Sequence, residues 1–297
     1  MELRQLRYVA AVAETRNFTR AAGQCFVAQS ALSHQIANLE RELGVKLFAR
    51  TSRRVELTPA GEAFLVGARQ CLEAAERAVA DAAAAVGEVR GRLAIGTIPT
   101  VTAVDITEVL QRFRELHPQV RVSLHVGASD VMAAEVAAGD LDVAFLGLPA
   151  GNEPQGVAAR ELARERLMAV VPPTHELADR KKVSLRQLAD SPFADFPARS
   201  PGRMQSDQAF EEAELDRDVA YELMSTELML RLVSRGLAVA LLPAALARSH
   251  PEVRSLPLTD GPSRVEHVVW SKFNPTPSTR AFLAILDTTQ PDTTQDT

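Results

Sequence analysis

The sequence predicts an α/β protein headed by a small, all-α, winged N-terminal domain, and three stretches of the chain carry that expectation. Residues 1–58 read as short helices followed by a polar, arginine-bearing ribbon. Residues 59–88 read as one long Ala-rich helix. From Arg92 onward, β-branched strands alternate with helices, the pattern of a doubly wound sheet covered by helices. The 297 residues are long for one core and suit a small domain followed by a larger one.

In the first stretch Leu3, Leu6, Val9, Ala10 and Ala13 recur at helical spacing. Asn17 and Thr19 offer capping side chains ahead of Ala21 and Ala22. A third helix carries Leu32, Ile36, Leu39 and Leu43, and Gly44 can end it in the left-handed conformation that glycine adopts cheaply. Between Val45 and Thr58, apolar residues flank a tip bearing Arg50, Arg53 and Arg54, as in a two-stranded wing. Thr58-Pro59-Ala60-Gly61-Glu62 then supplies the cap, the first-position proline and the first-turn acid that open a helix.

Along that helix Leu65, Ala68, Leu72, Ala75, Val79, Ala82 and Val86 alternate by three and four, a heptad seam. About 28 helical residues would extend roughly 42 Å, which outruns a small domain. A second copy of the chain is therefore the expected partner for the seam, with packing on its own chain as the alternative. Gly87 to Gly91 reads as a hinge. Beyond it, strands are expected at 93–98, 120–126, 141–148, 167–171, 219–223, 237–242 and 265–270, several apolar on both faces as in buried parallel sheets. Helices are expected at 105–116, 131–138, 204–214, 227–235 and 279–286. Thr288 to Thr297 lack apolar anchors and are expected to be disordered.

Composition narrows the function. Hydrophobic content of 46% and charged content of 24% are ordinary for a globular protein. No apolar run approaches the ~20 residues needed to span a bilayer. The opening Met-Glu-Leu-Arg-Gln-Leu-Arg lacks the apolar core of a signal peptide, so a cytoplasmic location and no membrane partner are expected. Net charge is −5, but residues 1–60 hold nine Lys and Arg against five Asp and Glu, leaving +4 on the head and −9 on the remainder. A basic head on an acidic body suggests that the head alone meets phosphate.

The six histidines are scattered and show no metal-ligand spacing with Cys25 and Cys71. No GxGxxG, P-loop or GxSxG motif is present. No metal, no cofactor and no enzymatic activity are expected. Two cysteines, both ahead of the alternating strands and helices that begin at Arg92, cannot form a disulfide framework or a thiol switch within that region.

The strongest motif runs from Phe18 to Ile36. Two helices meet through a turn of a few residues, and the second buries Leu32, Ile36, Leu39 and Leu43. Gln29, Ser30, Ser33 and His34 can then lie on its exposed N-terminal side, the end that a helix-turn-helix inserts into the major groove. Gln can bond adenine bidentately, and Ser can donate to or accept from either base edge. An exposed polar helix face is often merely solvated; the tight turn, basic context and wing favour DNA. In the wing, Arg50, Arg53 and Arg54 suit phosphate contact, Arg53 with reach into a narrow minor groove, the alternative being a solvated turn.

Residues 1–60 resemble the head of the LysR-type transcriptional regulators. The resembling pieces include Leu3-Arg4-Gln5-Leu6-Arg7-Tyr8, Asn17-Phe18-Thr19-Arg20-Ala21-Ala22, Gln29-Ser30-Ala31-Leu32-Ser33-His34-Gln35-Ile36, Leu43-Gly44-Val45-Lys46-Leu47-Phe48 and Leu57-Thr58-Pro59-Ala60-Gly61. Two positions depart from the common pattern: Ser30 where Pro often opens the recognition helix, and His34 where Arg is frequent. His34 is a weaker phosphate or guanine contact, with a pH-dependent charge.

The resemblance implies a winged helix-turn-helix over 1–58, a linker and dimerisation helix with hinge over 59–90, and a two-lobed effector-binding domain over 91–297 resembling periplasmic binding proteins. Lobe I would comprise about 91–162 and 265–290, and lobe II about 163–264. It also implies a small-molecule inducer between the lobes, self-association to a dimer or tetramer, and the transcription machinery as a further candidate partner. The seam residues Leu65, Ala68, Leu72, Ala75 and Val79 are the expected dimer contacts.

In the sensor, the strand at 93–98 runs into Pro99-Thr100-Val101-Thr102, and the strand at 120–126 into Gly127-Ala128-Ser129-Asp130, each ahead of a helix. Strand C-terminal ends are where open α/β folds bind ligands, and helix N-termini favour anions. Thr100, Thr102 and Ser129 are accordingly candidate effector contacts, with capping as the alternative role, and a polar or anionic inducer is expected. Phe196 and Thr226 are the candidates from lobe II. A transport solute-binding protein and an α/β enzyme carrying a DNA-binding head are the rival readings; the basic head opposes the first, and the missing catalytic constellation opposes the second.

Overall fold

The computed structural model describes residues 1–50, 55–248, 250–273 and 275–289. It divides into two compact units, Met1–Glu88 and Val89–Thr297. The first holds α1 (Leu3–Thr15), α2 (Phe18–Gln24), α3 (Gln29–Leu43), β1 (Phe48–Arg50), β2 (Val55–Leu57) and α4 (Pro59–Ala84). Asn17 caps α2 by accepting from the Arg20 amide at 3.0 Å, whereas Thr19 lies inside the helix. Val9, Val12, Leu32, Ile36, Leu39 and Leu47 are fully buried in one core. Leu3 and Leu43, at the ends of their periodic runs, are exposed instead. Gly44 ends α3 at φ 71°.

The turn between α2 and α3 is a hydrogen-bonded helix stop. The Val27 amide donates to the Ala22 carbonyl at 3.0 Å and the Phe26 amide to the Gly23 carbonyl at 3.2 Å. These are the paired bonds of a Schellman motif, whose left-handed position usually holds glycine. Here it holds Phe26, at φ 54°. The left-handed region costs a residue with a Cβ roughly 1–2 kcal/mol.

The wing is tied to the recognition segment by a buried acid. β1 and β2 pair antiparallel with Phe48 opposite Leu57. Glu40, 3% exposed, accepts from the Leu47 amide at 2.9 Å, the Phe48 amide at 3.3 Å and Lys46 Nζ at 2.8 Å. Burial works to raise its pKa, but Lys46 and the two amides outweigh it and hold the carboxyl below its ordinary value. Thr58 opens α4: its hydroxyl accepts from the Gly61 amide at 3.0 Å and donates to the Lys46 carbonyl at 2.6 Å. The helix ends at Ala84, four residues short of the expected stop, because the Val86 and Glu88 amides fold back onto the Ala83 carbonyl.

The second unit holds β3 (Gly91–Thr97), α5 (Ile106–Leu116), β4 (Val120–Val126), α6 (Ser129–Ala138), β5 (Val143–Pro149) and β6 (Ala158–Val171). It continues through α7 (Leu185–Leu188), β7 (Pro192–Asp195), α8 (Pro201–Glu212), β8 (Asp218–Glu222), α9 (Thr226–Ser234) and β9 (Ala240–Pro243). It closes with α10 (Ala244–Arg248), β10 (Arg254–Pro257), β11 (Ser263–Trp270) and α11 (Pro277–Thr289). Strand order is β10-β6-β11-β5-β3-β4, with β9 also on β6. β3 is parallel to β4 and β5; β11 runs antiparallel between β5 and β6.

The sheet forms two lobes because β6 serves both. Its 158–166 stretch pairs with β11, and its 167–171 stretch with β9 and β10. Lobe I packs Leu93, Val109, Phe113, Phe145 and Phe282. Lobe II packs Val183, Leu185, Leu188, Phe193 and Phe210, and adds the parallel pair β7 and β8. The apolar pattern predicts strand only at 167–171. The preceding Ala-Arg-Glu alternation is polar, and it becomes β because β11 offers a full partner edge. α11 runs on through Thr288 and Thr289, whose hydroxyls each donate to the Ile285 carbonyl at 2.8 Å, so the expected disorder does not begin at Thr288; residues 290–297 lie outside the described residues. Among the described residues, no helix is long and apolar enough to cross a membrane.

Candidate functional site

In the first unit, α3 separates its residues by face. Leu32, Ile36 and Leu39 point into the core, Gln29, Ser30 and His34 are exposed, and Ser33 is half-buried at the boundary. Ala28, the N-cap, provides no side-chain acceptor, and the first turn carries no acid. The positive end of the helix is therefore left for an outside acceptor. His34 Nδ1 lies 3.4 Å from Asn38 Nδ2, and Asn38 accepts from Arg41 Nη1 at 3.2 Å. Arg53 and Arg54, expected as phosphate contacts, lie outside the described residues, as does the Arg50 side chain.

The seam on α4 meets two environments. Leu65 and Ala68 are buried, Leu65 within the core of its own head, and Leu72 and Ala75 are half-buried. Val79 is 66% exposed, and Val86 lies beyond the helix end. The first turns of the expected seam thus also serve the head's own core.

In the second unit a narrow cleft lies between the lobes. Lobe I contributes Ile98, Thr100, Ser129 and Arg264; lobe II contributes Phe196 and Gln205, with Leu241 and Pro243 from β9. Thr100, Ser129 and Phe196 thus come together. Thr102 and Thr226 are not in the lining. Thr102 turns instead to two carboxylates: its hydroxyl donates to Glu266 at 2.8 Å and Glu165 at 3.0 Å, and its amide reaches Glu266 at 3.1 Å. Thr226 is the first residue of α9, whose cap is Ser225.

Thr100 does not begin a helix. α5 starts at Ile106, capped by Asp105, whose Oδ1 accepts from the Thr107 amide at 2.9 Å and the Glu108 amide at 3.1 Å. Thr100 is instead held by Arg264, a β11 residue 2% exposed. Arg264 Nη1 donates to the Thr100 hydroxyl and Nη2 to its carbonyl, both at 2.7 Å. The same guanidinium donates to Glu165, opposite it on β6, at 2.7 and 3.0 Å, and also contacts Glu266. Burial pushes the Glu266 carboxyl above its ordinary pKa, against the pull of Arg264. Sequence reading missed this arginine. The available signal was a pair of charges, Arg264 and Glu266, two residues apart and so on one face of a largely apolar strand.

Ser129 is the first residue of α6. Its hydroxyl donates to the Gly147 carbonyl at 3.2 Å and accepts from the Gly147 amide at 3.1 Å, anchoring the helix start to β5. Ala128, the N-cap, gives no side-chain bond, and Gly127 to Ser129 line the cleft. From lobe II, Gln205 Nε2 reaches across to the Gly147 carbonyl at 3.4 Å. Arg203 Nη1 donates to the Phe196 carbonyl at 3.3 Å and fixes the segment that bears the aromatic wall. The site is a mostly apolar slot with the α6 N-terminus and the Thr100 and Ser129 hydroxyls on its lobe I wall and the α8 N-terminus, Ser200 to Gly202, on its lobe II wall, a few convergent polar groups of the kind that orient a ligand's polar end.

The comparisons with known proteins cover the whole arrangement. Residues 3–62 match the family model described as bacterial regulatory helix-turn-helix protein, lysR family. Residues 87–290 match the LysR substrate binding domain. The HTH-type transcriptional regulator BudR of Raoultella terrigena is 32% identical over 290 residues, spanning 95% of this chain and 99% of that protein. The Hca operon transcriptional activator HcaR of Escherichia coli is 34% identical over 290 residues, spanning 96% and 97%. Among solved structures, full-length CbnR complexed with its target DNA superposes with a TM-score of 0.71 at 28% identity, covering 97% of this chain and all of that one. Full-length OxyR from Pseudomonas aeruginosa gives 0.74 at 25% identity, covering 100% and 99%.

Proposed function

The chain belongs to the LysR family of transcriptional regulators, and on that premise we propose which of its residues read DNA, bind the inducer and pair two copies. Residues 1–58 form the DNA-binding domain, 59–90 the linker and 91–297 the sensor. Gln29, Ser30, Ser33 and His34 enter the major groove, and Arg50, Arg53 and Arg54 grip phosphate or the minor groove. The observation that carries the DNA reading is the split on α3, apolar face buried and polar N-terminal face exposed without a cap. Full-length CbnR, which this chain resembles from end to end, is solved in complex with its target DNA, and that supports the same reading.

The inducer is a small molecule seated between Thr100, Ser129 and Phe196. Its polar or anionic end meets the α6 N-terminus and the Thr100 hydroxyl, and its apolar part lies on Phe196 and Leu241. Its binding alters DNA engagement only in so far as it binds one arrangement of the assembly more tightly than another.

Gln29→Ala and Ser33→Ala each relax base preference at one position, Gln29→Ala by about 1–3 kcal/mol of discrimination, the value of a bidentate contact. Arg53→Ala weakens binding evenly across sequences. Binding to randomised duplexes at fixed salt separates these effects, and unchanged preference in both α3 variants removes α3 from the groove.

The length of α4 beyond its own head, from Leu72 through Ala75 to Val79, is the pairing surface. Leu72→Asp places an unpaired charge in that interface. Light scattering of the full chain is expected to show a smaller assembly; an unchanged mass assigns the contact elsewhere.

A further inference from the structure

The turn ahead of the reading helix carries a residue that folding alone does not favour. Phe26 is 94% exposed, the most exposed of the large apolar side chains among the described residues. It also occupies a left-handed backbone position, φ 54°, where glycine or asparagine is the unstrained choice. Its neighbours show that the turn itself is well made. Cys25 and Val27 on either side pack against the head's core, and the Val27 and Phe26 amides close the helix stop at 3.0 and 3.2 Å. The backbone therefore holds the Phe26 Cα rigidly and turns the ring to solvent, three residues before Gln29. An aromatic ring in water at a strained position has an unfavourable conformation and no packing in return. Such strain is a mark of function when the surrounding structure holds it in place.

We propose that Phe26 is part of the DNA-reading surface and packs its ring against thymine C5-methyl groups at the edge of the major groove. Phe26 lies three residues ahead of Gln29, and Phe26, Gln29, Ser30 and His34 are all exposed, so a groove that receives the start of α3 is the surface nearest to the ring along the chain. In that groove the thymine methyl is the apolar group, and Phe is among the residues that contact it. Phe26 would then add sequence information where the polar residues of α3 cannot, because a hydroxyl or amide gains nothing from a methyl. The proposal rests on α3 being the helix in the groove.

The test uses the full chain with Phe26→Asn and Phe26→Gly, both of which suit the left-handed backbone. Duplexes selected from a random pool by the parent chain are expected to carry thymine at one conserved position in each half-site. Replacing that thymine by uracil removes only the methyl and is expected to weaken the parent about fourfold, the value of one buried methyl. The same replacement leaves both variants unchanged. Both variants bind the selected duplex about tenfold more weakly than the parent, yet melt no lower than it. Equal affinity and base preference in parent and variants overturns the proposal, as does a parent indifferent to uracil at every thymine. Unchanged DNA binding with lost transcription in the variants also overturns it, by assigning the ring to a protein partner. A parent that selects no duplex at all removes the α3 reading with it.

Discussion

Gly61→Ala is expected to destabilise the DNA-binding head by about 3 kcal/mol and to abolish operator binding. Helix propensity alone gives the opposite sign, since Gly61 lies in the first turn of α4 and Ala is favoured over Gly in a helix by about 1 kcal/mol. The contact decides. A Cβ at Gly61 would sit 2.1 Å from the Leu47 carbonyl oxygen and 2.9 Å from Leu57 Cδ2. That carbonyl is backbone, it already accepts from the Thr58 amide at 2.9 Å, and Leu47 is fully buried. Relief requires α4 to lift away from the wing, which breaks the Thr58 bond and strains the strand held by Glu40. Gly67, in the same helix with nothing within 4 Å, is the matched control, and Gly67→Ala should be neutral or mildly stabilising. Calorimetric melting of the two variants, with operator binding measured alongside, tests the pair. Equal melting temperatures for Gly61→Ala and Gly67→Ala would sink the close-approach argument.

Arg264→Met is expected to cost the sensor about 3–5 kcal/mol at neutral pH, the usual consequence of removing one partner from a buried ion cluster. Met fills comparable space, so the loss is electrostatic. Glu165 and Glu266 remain, both bonded to the Thr102 hydroxyl, with no cation between them. Glu266 is already pushed upward in pKa by burial, and without Arg264 the neighbouring carboxylate raises it further. The sign follows. A folded-state pKa above the unfolded value means that the protonated folded state is favoured, so the variant's stability deficit grows as pH rises through the folded pKa and shrinks in acid. Adding Glu266→Gln to Arg264→Met should recover a large part of the deficit and flatten that pH dependence. Denaturant melts of parent, single and double variants between pH 5 and about pH 8 check this. A deficit independent of pH, or no recovery in the double variant, would show that packing rather than charge is at stake. The same variant releases the Thr100 hydroxyl, so inducer response is expected to fall with it.

The Arg264 cluster also changes what Thr100 means. Read as a helix cap, a Thr100→Val substitution costs one capping bond. In the structure it removes the acceptor of a buried guanidinium N–H, so stability and inducer response fall together and response alone is not a clean report on ligand contact. Ser129 is engaged with both polar atoms of Gly147, so its hydroxyl positions α6. The backbone N–H groups at that helix start are then the donors that remain for a polar ligand end.

Local periodicity and short-range capping are legible in the linear order of residues. The spacing of Leu32, Ile36 and Leu39, the Asn17 and Thr58 caps and the Gly44 stop are readable because their partners lie within four residues. The pattern of Gln29, Ser30 and His34 on the face opposite that core follows from the same helical period. Whatever depends on residues far apart in the chain becomes visible only in the folded molecule. Thr102 reads as a cleft hydroxyl until Glu266, 164 residues later, folds onto it. The first half of β6 reads as a polar stretch until β11 pairs with it. The need for glycine at position 61 arises only where the Leu47 carbonyl lies beneath it. In each case the deciding term is contact with a distant partner, and a linear pattern of apolar and polar residues carries no information on which distant partner that is.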